Sequence, residues 1–318
     1  MKRWYSLNDV ERSSPVVAIG VYDGVHRGHR VLVRRAVEDA RDAGVPAVVL
    51  TFDPNPAEVV RPDPPTRLST LAQRLLLLES LGVDATFVMP FDKQASRQEP
   101  AAFVSEILIG ALGASAVVVG ENFRFGHRAA GDVAELRSVG GRYGMAVDAV
   151  PLLREELLGR PDVPISSTEI RGLVAAGDVA AATRGLARPH RVEGAVVQGD
   201  RRGRELGYPT ANLHTTTLAA IPADGVYAGR MVVSPYGSEQ VTYPAAISVG
   251  DNPTFPDQTR RVEAYAIDAP ADLDVYDTHV AIDFVSRLRR QIAFTSTSAL
   301  TKQMAEDVDA ARVHLGLV

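Results

Sequence analysis

The sequence predicts two domains of different class: an α/β domain built on a parallel sheet, then an antiparallel β domain closed by a helix. Three observations predict it. The chain has 318 residues, about twice the ~150 typical of one domain. From Val16 to about Arg184 short apolar runs alternate with helical patterns, the signature of βαβ units and a parallel sheet. Beyond Pro189 the text becomes short β-branched or aromatic runs punctuated by Gly, Pro, Asp and Asn, the spacing of an antiparallel barrel or sandwich.

The elements follow in order. VVAIG from Val16, AVVLTF from Ala47, ATFVMP from Ala85, SAVVVG from Ser115 and AVDAV from Ala146 read as buried strands. Between them, helices are predicted over His29–Ala43, Leu71–Leu81, Ala101–Leu112 and Val133–Arg142. In the second of these, Thr70 and Gln73 stand at capping-box spacing, and Leu71, Leu75 and Leu78 repeat on one face that should lie on the sheet. Two short Ala-rich helices, Glu169–Ala176 and Val179–Gly185, precede the change of texture. Strands then come from VEGAVV, GVYAGRMVV, TYPAAISVG, VEAYAID and HVAIDFV. The tail, Thr297 to Leu315, carries Leu300, Met304, Val308 and Ala311 at helical spacing. The domain boundary is placed near Leu186 to Pro189, giving domains 1–186 and 187–318.

Composition excludes several function classes. Lys and Arg total 34 against 39 Asp and Glu, a net charge of −5, so no broad basic surface for nucleic acid is expected, although a small phosphate pocket is compatible with it. The absence of cysteine removes disulfides, thiolate metal sites and cysteine nucleophiles together. Met1 to Pro15 is polar and carries both charges, unlike a signal peptide. The densest apolar stretch, Leu75 to Val83, is broken by Glu79, Ser80 and Gly82, so no membrane span is expected, and the expected location is the cytoplasm.

A first chemical site lies in VVAIGVYDGVHRGH, read as a strand, a glycine-bearing turn and a helix starting near His29. Gly20, Gly24 and Gly28 allow close backbone approach, and the helix N-terminus offers unpaired N–H groups and positive dipole to a phosphate. His26 and His29 add imidazole donors. Such donors stabilise the charge that develops when a nucleoside triphosphate is attacked at its α-phosphate. Metal binding by the two histidines is the lesser alternative, because no third ligand of matching spacing is present.

GVYDGVHRGH resembles the nucleotidylyltransferase motif of the prokaryotic bifunctional riboflavin kinase and FMN adenylyltransferase family, the FAD synthetases. TFDPNPAEVV, VVVGENFRFGHRAAGD and ISSTEIR follow in that family's order and approximate spacing. The resemblance implies an α/β nucleotidylyltransferase-type domain in which His26 and His29 contact ATP phosphates. It also implies that Asp23, Asn55 and Asn122 belong to the nucleotide and flavin site and that Ser167, Thr168 and Arg171 close over the nucleotide. Hydroxyls ahead of a helix and a guanidinium one turn later suit phosphate independently of the resemblance.

The second site is carried by GDRRGRELGYPTANL. Gly199, Gly203 and Gly207 make a loop that can lie over a phosphate chain, with Arg201, Arg202 and Arg204 adding charge, or a solvated turn. Thr210 and Asn212 then offer a hydroxyl and an amide oxygen, donors that magnesium accepts. GYPTANL, with IPADGVYAG, AISVGDNPTF, the stretch Val262 to Ile267 and SRLRRQIAF, is similar to the family's riboflavin kinase module. That similarity implies an antiparallel β-barrel with a C-terminal helix, Thr210 and Asn212 handling Mg-ATP, and Glu263 as general base.

Four positions depart from the family's usual text. Tyr22 stands where Phe is commoner and Asn55 where His is frequent. Asp251 replaces a Thr, adding negative charge near a phosphate site, and Asp277 replaces a Gly, at a cost on the order of 1 kcal/mol if φ there is positive. The implied function is phosphorylation of riboflavin to FMN and adenylylation of FMN to FAD, with Mg2+ and ATP serving both steps and FMN and FAD as products. Two alternatives stand beside it: an FMN adenylyltransferase whose kinase-like module is weak or only binds flavin, and a non-catalytic flavin-sensing protein.

Overall fold

The computed structural model describes residues 1–157, 160–198, 206–237, 239–250, 261–270 and 272–318. They form two compact units, Met1–Pro65 with Ser69–Ser166, and Thr66–Leu68 with Ser167–Val318.

In the first unit six strands pair in parallel: β1 (Lys2–Trp4), β2 (Val16–Ile19), β3 (Ala47–Asp53), β4 (Ala85–Pro90), β5 (Ala116–Gly120) and β6 (Ala146–Val150). Their spatial order is β1-β4-β3-β2-β5-β6. The central runs are mostly apolar, with Thr51 and Thr86 as buried polar exceptions, because both faces are covered. On one face Val17, Ile19, Val48 and Leu50 pack with Phe103, Leu108 and Leu136; on the other Val16, Ala18 and Val49 pack with Leu32, Val33 and Leu78. The chain runs from β2 through β3 to β4 on one side, then returns to β5 on the other. This places the crevice used by ligands in open α/β sheets at the C-terminal ends of β2 and β5.

The expected helices are present with shifted ends. α1 spans Arg27–Ala43, two residues earlier than read from the sequence, because His26 itself serves as the cap. After a short α2 (Pro56–Val60), α3 (Leu71–Glu79) begins with the anticipated capping box: the Gln73 N–H donates to Thr70 Oγ1 at 3.2 Å and the Thr70 N–H to Gln73 Oε1 at 3.1 Å. The helix read over Ala101–Leu112 starts as α4 (Pro100–Ala102) and continues as a π-helical stretch, Phe103–Ala111. α5 (Val133–Gly141) is capped by Asp132, which accepts from the Glu135 N–H at 3.0 Å. The edge strand β1 and the two-stranded pair β7 (Arg154–Leu157) and β8 (Arg160–Pro164) had no periodic signal.

The second unit contains α6 (Ser167–Ala176), α7 (Val179–Leu186) and a closed antiparallel barrel, so the alternative of a sandwich falls away. Its strands are β9 (His190–Val197), β10 (Thr210–His214), β11 (Gly225–Val233), β12 (Val241–Gly250), β13 (Arg261–Ala266) and β14 (His279–Arg289), in the order β10-β13-β12-β11-β14-β9. Closure leaves no free edge. Val192, Leu213, Tyr227, Ile247, Val262 and Phe284 fill the interior. β11 and β14 shift register between Ala228 and Gly229, where a first side-chain carbon on Gly229 would strike the Asp283 carbonyl. The last helix, α8 (Thr297–His314), is capped by Ser296. Asp277 does stand at positive φ, 56°, with its N–H donating to the Val196 carbonyl at 3.0 Å; Asp is among the residues that tolerate this region best. Among the described residues no helix is long and apolar enough to cross a membrane.

Buried His190 makes the barrel's stability depend on pH. Its Nε2 donates to the Ala220 carbonyl at 2.6 Å, and burial pushes its pKa down to about 4. The unfolded chain therefore takes up a proton near pH 6.5 that the folded barrel refuses. Stability is fully present above pH 6.5 and declines as pH falls toward 4, by roughly 2 kcal/mol at pH 5. Urea unfolding at pH 7.5 and pH 5 should show this decline, and His190→Gln, which keeps a donor toward Ala220, should remove most of it.

Candidate functional site

In the first unit the turn after β2 brings the predicted groups together. The His29 N–H donates to His26 Nδ1 at 3.3 Å, which caps α1 and leaves Nε2 as the protonated nitrogen of a neutral His26 ring. The two imidazoles stack, centroids 3.5 Å apart and planes within 20°. Gly28 is needed beneath them, since a Cβ there would lie 3.2 Å from the His26 ring. Tyr22 meets His29 edge-on at 5.2 Å. Burial, then repulsion from the His26 ring whenever that ring is protonated and from the Arg74 guanidinium, hold the His29 pKa well below the usual imidazole value, so His29 is neutral at pH 7. The site is therefore a pair of neutral N–H donors at the positive end of a helix.

The surrounding turn is tied down by short bonds. Gly24 has φ of 79° and its N–H donates to Ser69 Oγ at 2.9 Å, while Asp23 Oδ1 accepts from the Ser69 N–H at 3.1 Å. Gly20 has the Tyr22 ring against it, 2.9 Å from where a Cβ would stand. Asn55, two residues past β3, caps α2 by accepting from the Ala57 N–H at 3.0 Å. Asn122 lies exposed in the turn that follows β5. Gly20, Asn55 and Asn122 thus follow the C-terminal ends of three adjacent strands. Ser167, Thr168 and Arg171 occupy the beginning of α6 in the second unit.

In the barrel, register assembles the second site. β10 and β13 pair antiparallel with Thr210 opposite Tyr265 and Asn212 opposite Glu263. Ala211, Leu213, Val262 and Ala264 point into the core, so Thr210, Asn212, Glu263 and Tyr265 share the other face. Glu263 is half-buried on an interior strand of the closed barrel. Two cavities adjoin this face, and Thr210 and Tyr265 line both. One, about 300 Å³, is bounded by Asn212, Pro270, Leu273, Asp274 and Tyr276. The other, about 230 Å³, is bounded by Glu263, Arg289, Phe294, Leu300, Met304 and Val308.

Asn212 is 9% exposed, and its side-chain carbonyl oxygen is buried with no hydrogen-bond partner among the described residues. An orphaned carbonyl oxygen and the Thr210 hydroxyl two residues away, on the same strand face, suit a hard cation whose other ligands are phosphate oxygens. Among the described residues no cluster of three or more His, Asp or Glu could hold a metal. Gly207 takes φ of 86° in the turn before Thr210, whereas Gly199, Arg204 and Asp251 lie outside the described residues.

Some participants carried little signal in the sequence. Leu300, Met304 and Val308 read only as apolar positions at helical spacing, and in the structure they wall the smaller cavity. Arg289 bonds Asp307 of α8 through Nε at 2.7 Å and Nη2 at 2.6 Å, fastening that wall to β14. The cue available in the sequence was an acidic residue, Asp307, directly before Val308 of the apolar stripe. Arg74, 1% exposed on α3, was read only as part of a helix.

Comparison with known proteins gives two family matches along the chain. Residues 9–169 match the family described as FAD synthetase and residues 186–315 the family described as riboflavin kinase. The bifunctional riboflavin kinase/FMN adenylyltransferase of Escherichia coli (strain K12) is 32% identical over 314 residues, covering 98% of this chain and 96% of that one. The protein of the same description from Pseudomonas fluorescens is 34% identical over 304 residues, covering 95% and 93%. A crystal structure from Streptococcus pneumoniae, described as a macrolide-efflux protein, is 30% identical and superposes with a TM-score of 0.84 over 98% of each chain.

The Tyr22 hydroxyl is fully buried and has no hydrogen-bond partner among the described residues. Tyr22→Phe should therefore raise stability toward urea by about 1 kcal/mol, because it removes an unsatisfied polar group and keeps the ring against His29.

Proposed function

Since the chain belongs to the bifunctional riboflavin kinase/FMN adenylyltransferase family, we propose that its barrel phosphorylates riboflavin to FMN with ATP and its parallel-sheet unit transfers AMP from ATP to FMN. The products are FAD and pyrophosphate. The observation that carries the residue assignments is the cross-strand pair Asn212–Glu263, set beside two cavities that share Thr210.

In the barrel the smaller cavity, walled by Phe294, Leu300, Met304 and Val308, suits the flat apolar face of a flavin. The larger cavity suits the nucleotide, with its phosphates directed toward Thr210 and Asn212. Glu263 lines the flavin cavity and not the other, so its carboxylate is on the side of the acceptor. It takes the proton from the terminal ribityl hydroxyl as that oxygen bonds to the γ-phosphorus and ADP leaves. Thr210 and Asn212 would hold Mg2+ with the phosphates; bound there, the ion neutralises charge on the transferring group. Asp277 bears the strain of φ at 56°, and its turn still closes through the N–H bond to the Val196 carbonyl.

In the other unit a phosphate oxygen of FMN attacks the α-phosphorus of ATP, and the bond to pyrophosphate breaks. The donors of His26 and His29 and the N-terminus of α1 meet the charge that spreads over the phosphoryl oxygens. Gly20, Asn55 and Asn122, at neighbouring strand ends, are assigned to nucleotide and flavin contacts, with Asp23 and Gly24 holding the turn against Ser69. Ser167, Thr168 and Arg171 are assigned to nucleotide phosphate by their chemistry.

Purified protein given riboflavin and Mg-ATP should accumulate FMN and then FAD, measured by separation of the flavins. FAD from FMN with nothing from riboflavin would favour the adenylyltransferase alternative, and flavin binding without ATP consumption the sensing one. His29→Ala should lower adenylylation by at least about 100-fold and spare the kinase. Glu263→Ala should lower riboflavin phosphorylation by about 100-fold or more and spare adenylylation.

A further inference from the structure

Arg74 is the bulkiest fully buried side chain among the described residues, at 1% exposure. Burying a guanidinium costs several kcal/mol unless its surroundings compensate, and a packed apolar side chain of similar volume would serve a purely structural role as well or better. The surroundings of Arg74 lead instead to the imidazole turn. Its Nη1 donates to the Phe52 carbonyl at 2.8 Å and to Thr51 Oγ1 at 3.1 Å. Thr51, itself fully buried on β3, donates onward to the Val21 carbonyl at 3.0 Å. Val21 is followed by Tyr22, held at φ of 54° with its ring edge against His29. One hydrogen-bonded chain therefore runs from α3 through β3 into the turn that presents both histidines.

Resting on the adenylylation assigned to this unit, we propose that Arg74 is a positioning residue for that step. Its guanidinium, anchored through Thr51, braces the Val21–His26 turn and supplies a fixed positive charge behind the imidazole pair. In a poorly solvated site such a charge acts on the phosphoryl transition state without reorganising. It also helps to keep His29 in the neutral form, alongside burial and the neighbouring ring of His26.

The test uses the full chain with Arg74→Met, Arg74→Lys and Thr51→Val, measuring kcat and KM for ATP in FMN adenylylation, with riboflavin phosphorylation in the same samples as control. Arg74→Met should lower the adenylylation kcat by about 100-fold while KM for ATP changes by less than about threefold. Arg74→Lys should recover at least about tenfold of that loss, since it restores the charge. The kinase rate should not change. Retention of the wild-type kcat in folded Arg74→Met, a loss expressed in KM alone, or equal losses in the Met and Lys variants would overturn the proposal. Should Arg74→Met fail to fold, Thr51→Val decides: it keeps the charge and the volume but cuts the link to Val21. It should lower kcat by about tenfold, and an unchanged kcat overturns the proposal. If the wild-type protein makes no FAD from FMN, the function assigned to the unit fails; if it does and the variants match it, only the role of Arg74 fails.

Discussion

The hydrogen bond from the His29 N–H to His26 Nδ1 is the contact on which the first site depends. It satisfies a donor at the start of α1 that would otherwise be orphaned. It also leaves the proton of neutral His26 on Nε2 and brings the two rings into a stack at 3.5 Å. A serine or aspartate would cap the helix equally well. An imidazole caps it through one nitrogen and keeps the other as a donor, so both demands can fall on one residue.

In the barrel the equivalent constraint is register. Asn212 faces Glu263 because β10 and β13 pair as they do, and side chains alternate with a period of two. A slip of one residue would send Glu263 into the core and Val262 to the site. The core residues Ala211, Leu213, Val262 and Ala264 therefore hold Asn212 opposite Glu263 as much as the polar residues do. Fastening α8 through Arg289 and Asp307 then shapes the cavity beside Glu263 from a helix distant in sequence.

What the sequence made legible follows from local physics. Continuous apolar runs announced the buried parallel strands, and the spacing of Thr70 and Gln73 announced the start of α3, because each signal lies within a few residues. The histidine motif was legible for the same reason, though not the cap that moves the helix start to Arg27. β1 was missed because three residues at a sheet edge show no period. β10 was read as a motif and not as a strand: Thr210 and Asn212 do alternate with Ala211 and Leu213, but the run is only Thr210–His214, follows Pro209 and carries no β-branched apolar residue. Barrel closure, the cavity role of Met304 and the burial of Arg74 depend on contacts between distant segments, which no window along the chain contains.

The two sites differ in the way their reactions require. The terminal hydroxyl of a ribityl chain is a poor nucleophile until its proton is taken, so a kinase acting on it needs a carboxylate within reach, and Glu263 lines the smaller cavity, proposed above for the acceptor. The phosphate of FMN is already ionised near neutral pH and needs no base. Its attack on a triphosphate instead brings like charges together, so the demand is for donors and fixed positive potential, with carboxylates kept away or occupied. The first unit answers in that form: its imidazoles are neutral donors, its helix dipole points at them, and Asp23 is turned to Ser69. A base placed there would add negative charge where the transition state can least accept it. The same argument makes an exchange of functions by single substitution implausible, since each unit lacks the electrostatic setting of the other's chemistry and not just one residue of it.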